Sequence, residues 1–360
     1  MMHLTYLEAA VVGLVQGVTE LFPISSLGHN VLIPALVGGS WATHLDVASP
    51  ESPYLAFIVG LHVATALALL VFFWRDWVRI IGGFLSSIRN RRVETADQRL
   101  AWMIVLATIP VGLVGLVAEH PFRVIFGKPI AAAVFLTING LILIAGERYR
   151  SRASLAADKR AAVTWEAELV MAGGRPAGPP DRGQPDRGQP DLGQPYRRRP
   201  DQGRPDRGQP AHARTRASSH AEQADAIASD RRVSAAGYGK AIVIGSSQIL
   251  ALLAGISRDG VTMVTGMTRG LSREDAARFA FLLSTPVILA AGVLKIPDLF
   301  GPLGNGIHGQ ILVGSILSFV GAYFSVRFLV RYLRTRTLYP FGIYCVVAGL
   351  ACVVYLGFIK

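Results

Sequence analysis

The segment Gln16-Gly17-Val18-Thr19-Glu20-Leu21-Phe22-Pro23-Ile24-Ser25-Ser26-Leu27-Gly28-His29 interrupts an apolar run that covers residues 5–37. Pro23 lacks a backbone donor and ends a helix that reaches it. Glu20 and His29 are costly to place in hydrocarbon, so each is a functional candidate by default. A second apolar run, 240–270, is broken in the same manner at Ala254-Gly255-Ile256-Ser257-Arg258-Asp259-Gly260-Val261-Thr262. Irregular backbone at membrane depth is tolerated only where protein buries it or it lines a wet cavity. Both runs therefore read as re-entrant helical hairpins.

Working outward, six uninterrupted stretches, roughly 54–73, 100–118, 129–146, 276–293, 309–326 and 340–358, are long and apolar enough to cross a hydrocarbon layer of about 30 Å. Across 360 residues, 51% are hydrophobic and 17% charged, with a mean hydropathy of +0.40, which argues against a soluble globule. The expected fold is an all-α polytopic membrane protein with six transmembrane helices and two re-entrant helical hairpins. The amino terminus has no basic leader, and Glu8, Gln16 and Glu20 interrupt its apolar run, so it reads as mature structure rather than a signal peptide.

The net charge is +12, and half of that surplus falls between Glu147 and Lys240. Arg75, Arg79, Arg89, Arg91, Arg92 and Arg99 mark one basic loop, residues 147–240 a second, and Arg327, Arg331, Arg334 and Arg336 a third. Basic loops flanking apolar segments are expected on the cytoplasmic side. No stacking aromatics are interleaved with them, so nucleic acid is not an expected partner. Cys345 and Cys352 have no CxxC spacing or His partner, which argues against a disulfide framework and a zinc site.

One threading puts all three basic loops on one side: the first hairpin enters from outside and the second from inside. Each half, residues 1–150 and 236–360, is then one hairpin plus three spanning helices in an inverted-topology repeat, whose site is expected near the midplane. An internal echo supports this. Gln16 precedes Pro23, Ser26 and Gly28 much as Gln248 precedes Ala254, Ser257 and Gly260, with an offset of one residue. The connector, residues 151–235, carries prolines at 180, 185, 190, 195, 200, 205 and 210 around P-D-R-G-Q and is expected to be a disordered cytoplasmic insert.

In the first break, Gln16 and Glu20 share a helix face. Ser25 or Ser26 is placed to cap the next helix, whose early amides attract an anion, and His29 lies one turn beyond. In the second, Arg258 offers a planar fork for a phosphate, with Thr262 one turn away. The plainer alternative is that Glu20 and Arg258 form a structural ion pair locking the hairpins together. His62 reads as a helix-packing hydrogen bonder, Asn139 as a bridge between helices, and Thr285-Pro286 as a satisfied kink. His44, Asp46 and Glu51 read as a solvated outer loop.

The motifs Q-G-V-T-E-L-F-P-I-S-S-L-G-H and A-G-I-S-R-D-G-V-T resemble the two signatures of the undecaprenyl-diphosphate phosphatase (bacitracin resistance) family, with similarity over about residues 4–150 and 236–360. The resemblance implies hydrolysis of undecaprenyl diphosphate to the monophosphate, which recycles the carrier lipid for cell-wall synthesis. It implies a cell-membrane location and a site open to the extracytoplasmic side. By motif position it implies Glu20, Ser26, His29 and Arg258 as catalytic residues. Ser25, Gly28, Gly255, Ser257, Arg258, Gly260 and Thr262 would contact the diphosphate. A divalent cation, Mg²⁺ or Ca²⁺, would lie near Glu20 and Gln16. Gln16 stands where many members have Glu, Leu27 for Thr, Ala254 for Pro and Asp259 for Ser. The first change removes a charge available to a metal, and the last puts a carboxylate beside Arg258.

The expected mechanism is phosphoryl transfer, with Ser26 or a water attacking in line, His29 taking the proton, and Glu20 orienting His29 or binding metal. The partners are a polyprenyl diphosphate and membrane lipids, and a homodimer is left open. The rival reading is a transporter of a polyprenyl phosphate or another anion, which would use the same binding site without needing Ser26 and His29 as a pair.

Overall fold

The computed structural model describes residues 4–45, 53–126, 128–171, 211–301 and 304–359. Regular structure among them is entirely helical. The first half comprises α1 (Tyr6–Leu21), α2 (Ser26–Val37), α3 (Gly39–His44), α4 (Pro53–Phe72), α5 (Trp74–Asn90), α6 (Ala96–Phe126) and α7 (Pro129–Met171). Helix α8 (Ala211–Ala235) leads into the second half: α9 (Tyr238–Ser246), a 3₁₀ turn (Ser247–Leu252), α10 (Arg258–Thr268), α11 (Arg273–Leu294), α12 (Ile296–Phe300), α13 (His308–Thr335) and α14 (Tyr339–Val354).

Portions of α6, α7, α11 and α13, and α14 with its continuation, are long and apolar enough to cross a membrane; α4 joins α5 across an 85° bend and supplies a sixth span if the pair is taken together. The protein is thus a polytopic all-α membrane protein. Helix α5 turns Val78, Ile81, Leu85 and Ile88 outward, as an amphipathic helix at a membrane surface does.

Both interrupted runs fold as helix, break, helix. Thr5 opens α1 with a capping box: its hydroxyl accepts from Glu8 N (3.2 Å) while the Glu8 carboxylate accepts from Thr5 N (2.7 Å). Ser25 caps α2 by accepting from Gly28 N (3.2 Å), and Ser257 caps α10 by accepting from Gly260 N (3.1 Å). These caps correct the expected register. Ser257 corresponds to Ser25, so Gln16/Gln248, Ser25/Ser257 and Gly28/Gly260 are equally spaced and the one-residue offset disappears.

Packing repeats between the halves. Helix α1 lies along α13 and α9 lies along α6, so the first helix of each half rests on the middle spanning helix of the other. Contact is backbone to backbone in both places: a Cβ at Gly13 would fall 2.7 Å from Gly314 Cα, and one at Gly245 2.6 Å from the Ala107 carbonyl carbon. Helices α4 and α11 meet between them.

Charged residues flanking the spans are held in ion pairs. Arg79 of α5 pairs with Asp76, Asp97 and Asp230; Arg278 of α11 pairs with Asp76 and Asp230; Arg232 of α8 pairs with Asp275. Arg334 reaches Glu274 at 3.2 Å, and Arg273 binds Glu147. Described residues of all three basic regions take part in these pairs.

The connector departs from expectation. Met1–Arg150 with Ala228–Lys360 forms one compact unit, and Ser151–Ile227 another. Residues 151–171 and 211–235 are helical rather than disordered. They are rich in Ala and Arg and free of proline, which favours helix. Residues 228–235, placed in the insert by composition, belong to the membrane unit, where Asp230 is 1% exposed. The proline repeat lies outside the described residues.

Candidate active site

Pro23 ends α1 one turn after Glu20, and the chain reverses through Ser25 into α2. The reversal brings the Ser26 hydroxyl onto the Glu20 carboxylate, where it donates to Oε2. Gln16 Nε2, one turn earlier on α1, donates to the same oxygen at 2.8 Å. Arg258, the first residue of α10, donates through Nη2 to Glu20 Oε1. Glu20 is 7% exposed, so an acid from one hairpin and a base from the other meet in a nearly dry site. The Arg258 fork is not saturated: its Nε is buried with no hydrogen-bond partner.

The two breaks touch. Ser25 holds a left-handed φ of 69° and its hydroxyl accepts from both Gly28 N and Gly255 N, each at 3.2 Å. Gly255 has φ 110°, and a Cβ there would lie 2.6 Å from Leu136 N on α7; a Cβ on Gly28 would lie 2.9 Å from Gly255 Cα. Only glycines permit this approach. Asn139 of α7, with no exposed surface, clamps the junction: Nδ2 donates to the Pro23 carbonyl and Oδ1 accepts from Ser257 N, both at 2.9 Å.

Several expected roles are relocated. The Ser25 hydroxyl is spent on backbone amides. Thr262 donates to the Arg258 carbonyl (2.7 Å), which steadies the helix bearing the guanidinium instead of presenting a hydroxyl to an anion. His29 does not meet Ser26 or Glu20. It folds back over its own turn, with Nδ1 donating to the Ser25 carbonyl (2.7 Å) and Nε2 at 2.8 Å from the Tyr344 hydroxyl. Asp259 faces Ser284 of α11 and has its other oxygen unpartnered; it makes no bond to Arg258. His44 is not in a solvated loop but pairs with buried Glu8 at 3.2 Å, while Asp46 and Glu51 lie outside the described residues.

His62, read from the sequence as a helix-packing hydrogen bonder, also reaches the site. Its Nδ1 donates to the Ile58 carbonyl (2.9 Å), which turns Nε2 toward Gln16 Nε2 (3.4 Å) and Glu20 Oε2 (3.8 Å). The rule that drew attention to Glu20, an ionisable group at membrane depth, applies equally to this histidine. Asn139 was expected to bridge helices and does so, at the one junction that fixes the site. Thr285 donates to the Phe281 carbonyl (2.9 Å), as a kinked helix requires.

The donor set is poor for a resident divalent cation. A hard ion wants several oxygens, yet no cluster of three or more His, Cys, Asp or Glu suited to a metal occurs among the described residues. Glu20 is committed to Arg258, Ser26 and Gln16, and the Gln16 oxygen already accepts from Asn30 Nδ2 at 2.6 Å. These residues do not form a metal cage by themselves.

The family described as bacitracin resistance protein BacA matches residues 9–173 and 215–351. The match extends along α7 and resumes in α8, beyond the limits the motifs suggested. The chain is similar to an undecaprenyl-diphosphatase of Mycolicibacterium paratuberculosis, 54% identical over 355 residues, covering 99% of this chain and 98% of the relative. It is 51% identical over 361 residues to undecaprenyl-diphosphatase 2 of Frankia alni, covering 98% of each. With undecaprenyl-diphosphatase 2 of Burkholderia lata the identity is 35% over 339 residues, covering 94% and 92%.

Proposed function

From the premise that the chain belongs to the bacitracin resistance protein BacA family, we propose that it hydrolyses undecaprenyl diphosphate to undecaprenyl phosphate and inorganic phosphate. Recycling of the carrier lipid for peptidoglycan synthesis and resistance to bacitracin follow from that activity. The observation that carries the reading is the Glu20–Ser26–Arg258 junction, in which a hydroxyl, a proton acceptor and a partly unsaturated guanidinium from two hairpins share one buried point. Transport of an anion would need the guanidinium but no acceptor for the Ser26 proton.

In this mechanism the free donors of Arg258 bind the terminal phosphoryl group, whose charge spreads over its equatorial oxygens. Ser26 Oγ attacks the terminal phosphorus in line as Glu20 takes its proton. The Oγ–P bond forms, the bridging P–O bond breaks, and undecaprenyl phosphate leaves. Glu20 gives that proton to the departing undecaprenyl phosphate; it then takes a proton from the water that attacks the phosphoserine and returns it to Ser26 Oγ as the Oγ–P bond breaks and inorganic phosphate is released. Glu20 replaces His29 as the acceptor because it, not His29, holds the serine hydroxyl. Mg²⁺ or Ca²⁺, if carried in with the diphosphate, would offset its charge, with Glu20 the one carboxylate at the junction that could face it.

The prenyl chain would remain among the lipid-facing helices. The basic segments would face the cytoplasm in the cell membrane, with the hairpins re-entrant and the site open to the opposite side. All named groups come from one chain, so a homodimer is not required. Phosphate release by the purified protein tests the activity, and acid quenching with substrate labelled at the terminal phosphorus tests the path. Wild type should yield a phosphoprotein that Ser26→Ala lacks. Full turnover by Ser26→Ala would reassign the attack to water, and an inert wild type would overturn the reading.

A further inference from the structure

His29 makes two contacts of different kinds. The Ser25 carbonyl, 2.7 Å from Nδ1, can only accept, so Nδ1 carries the proton of the neutral ring and Nε2 presents its lone pair. The Tyr344 hydroxyl, 2.8 Å from Nε2, is then the donor. The two rings are nearly parallel, 7° apart with centroids separated by 5.9 Å, so the tyrosine fixes the plane of the imidazole as well as its bond. His29 is 8% exposed whereas Tyr344 is 45% exposed: the basic nitrogen points outward from the hairpin and the tyrosine covers it.

We propose that Tyr344, carried by the last helix of the second half, is a positioning residue for His29, orienting the imidazole and donating to Nε2 until the water that cleaves the phosphoseryl bond takes its place as donor. The inference rests on the phosphatase reading. The carbonyl at Nδ1 sets the tautomer, and the hydroxyl at Nε2 sets the ring's rotation. The hairpin alone supplies the first restraint but not the second. Without the hydroxyl, Nε2 has no other partner among the described residues, and the imidazole meets the attacking water without its orienting bond. The hydroxyl must swing aside when that water approaches Nε2 as a donor, and its half-exposed position allows that movement.

A double-mutant cycle on phosphate release from undecaprenyl diphosphate, using the full chain in detergent, tests this. Tyr344→Phe keeps the stacked ring and removes one oxygen. It should lower kcat roughly 10- to 100-fold, as loss of an orienting partner does, with KM within about twofold and an unchanged melting temperature. In a His29→Ala background the same change should have no further effect. A kcat for Tyr344→Phe within about twofold of wild type, or a loss that persists in full when His29 is absent, would overturn the assignment. Active wild type with unaffected Tyr344→Phe sinks this inference alone; wild type that releases no phosphate sinks the phosphatase reading with it.

Discussion

Glu20 and Arg258 form a nearly buried ion pair, with side chains 4% and 17% exposed. Such a pair contributes little net stability compared with apolar residues, but removing one partner strands a buried charge at a cost of about 3–5 kcal/mol. Glu20→Gln or Arg258→Met should therefore lower thermal stability markedly, while the double variant recovers much of it. Activity should behave differently. The double variant restores neither the proton acceptor nor the phosphate ligand, so turnover should stay down at least about 100-fold. A stable, fully active double variant would make the pair only a lock between hairpins. The residues of this junction were legible because membrane burial of charge is rare enough to stand out in sequence. Tyr344 was not, since a tyrosine in an apolar helix carries no such signal and its partner lies 315 positions away.

At the scale of the elements, the site depends on two irregular turns being pressed together, and the glycines at the contact are where this is most vulnerable. Gly255→Ala would place a methyl against the backbone of α7 at a φ of 110°. The strain should cost about 1–3 kcal/mol and, by displacing the start of α10, move Arg258 away from Glu20. Gly112→Ala, on α6 with nothing within 4 Å of its Cβ, is the control. It should be neutral or gain up to about 1 kcal/mol from helix propensity. Melting temperatures and phosphate release of the two variants check the contrast, and equal effects would show that the contact does not set the geometry. The breaks themselves were readable, because Pro23, Gly255 and the capping serines obey local rules. That their caps align Ser257 with Ser25 rather than Ser26 became clear only from which amide each hydroxyl accepts.

For the whole molecule, the informative boundary is the one between the membrane unit and the connector. Composition placed that boundary at residue 235, because charged and small residues run without a break from the proline repeat into α8. Burial places it earlier. Asp230 accepts from Arg79 and Arg278, and Asp275 accepts from Ser229 and Arg232, so the last turns of α8 close a charged network with α5 and α11. Two deletions separate the regions. Replacing 174–214, the stretch between the two family-matched segments, with a short Gly/Ser linker leaves every one of these pairs intact. Turnover should remain within about twofold, since the removed composition offers little apolar surface for a folded core. Extending the deletion through residue 230 removes the carboxylate shared by two arginines that are only 20% and 11% exposed. Asp76 and Asp97 still pair with these arginines, so the loss of one charged partner from each should cost about 1.5–3 kcal/mol per bond, read as a lower melting temperature and loss of monodisperse protein in detergent. If both deletions left stability equal, the network would not be what anchors α8; if the short one abolished turnover, the proline repeat would have a part in catalysis that its composition gives no reason to expect.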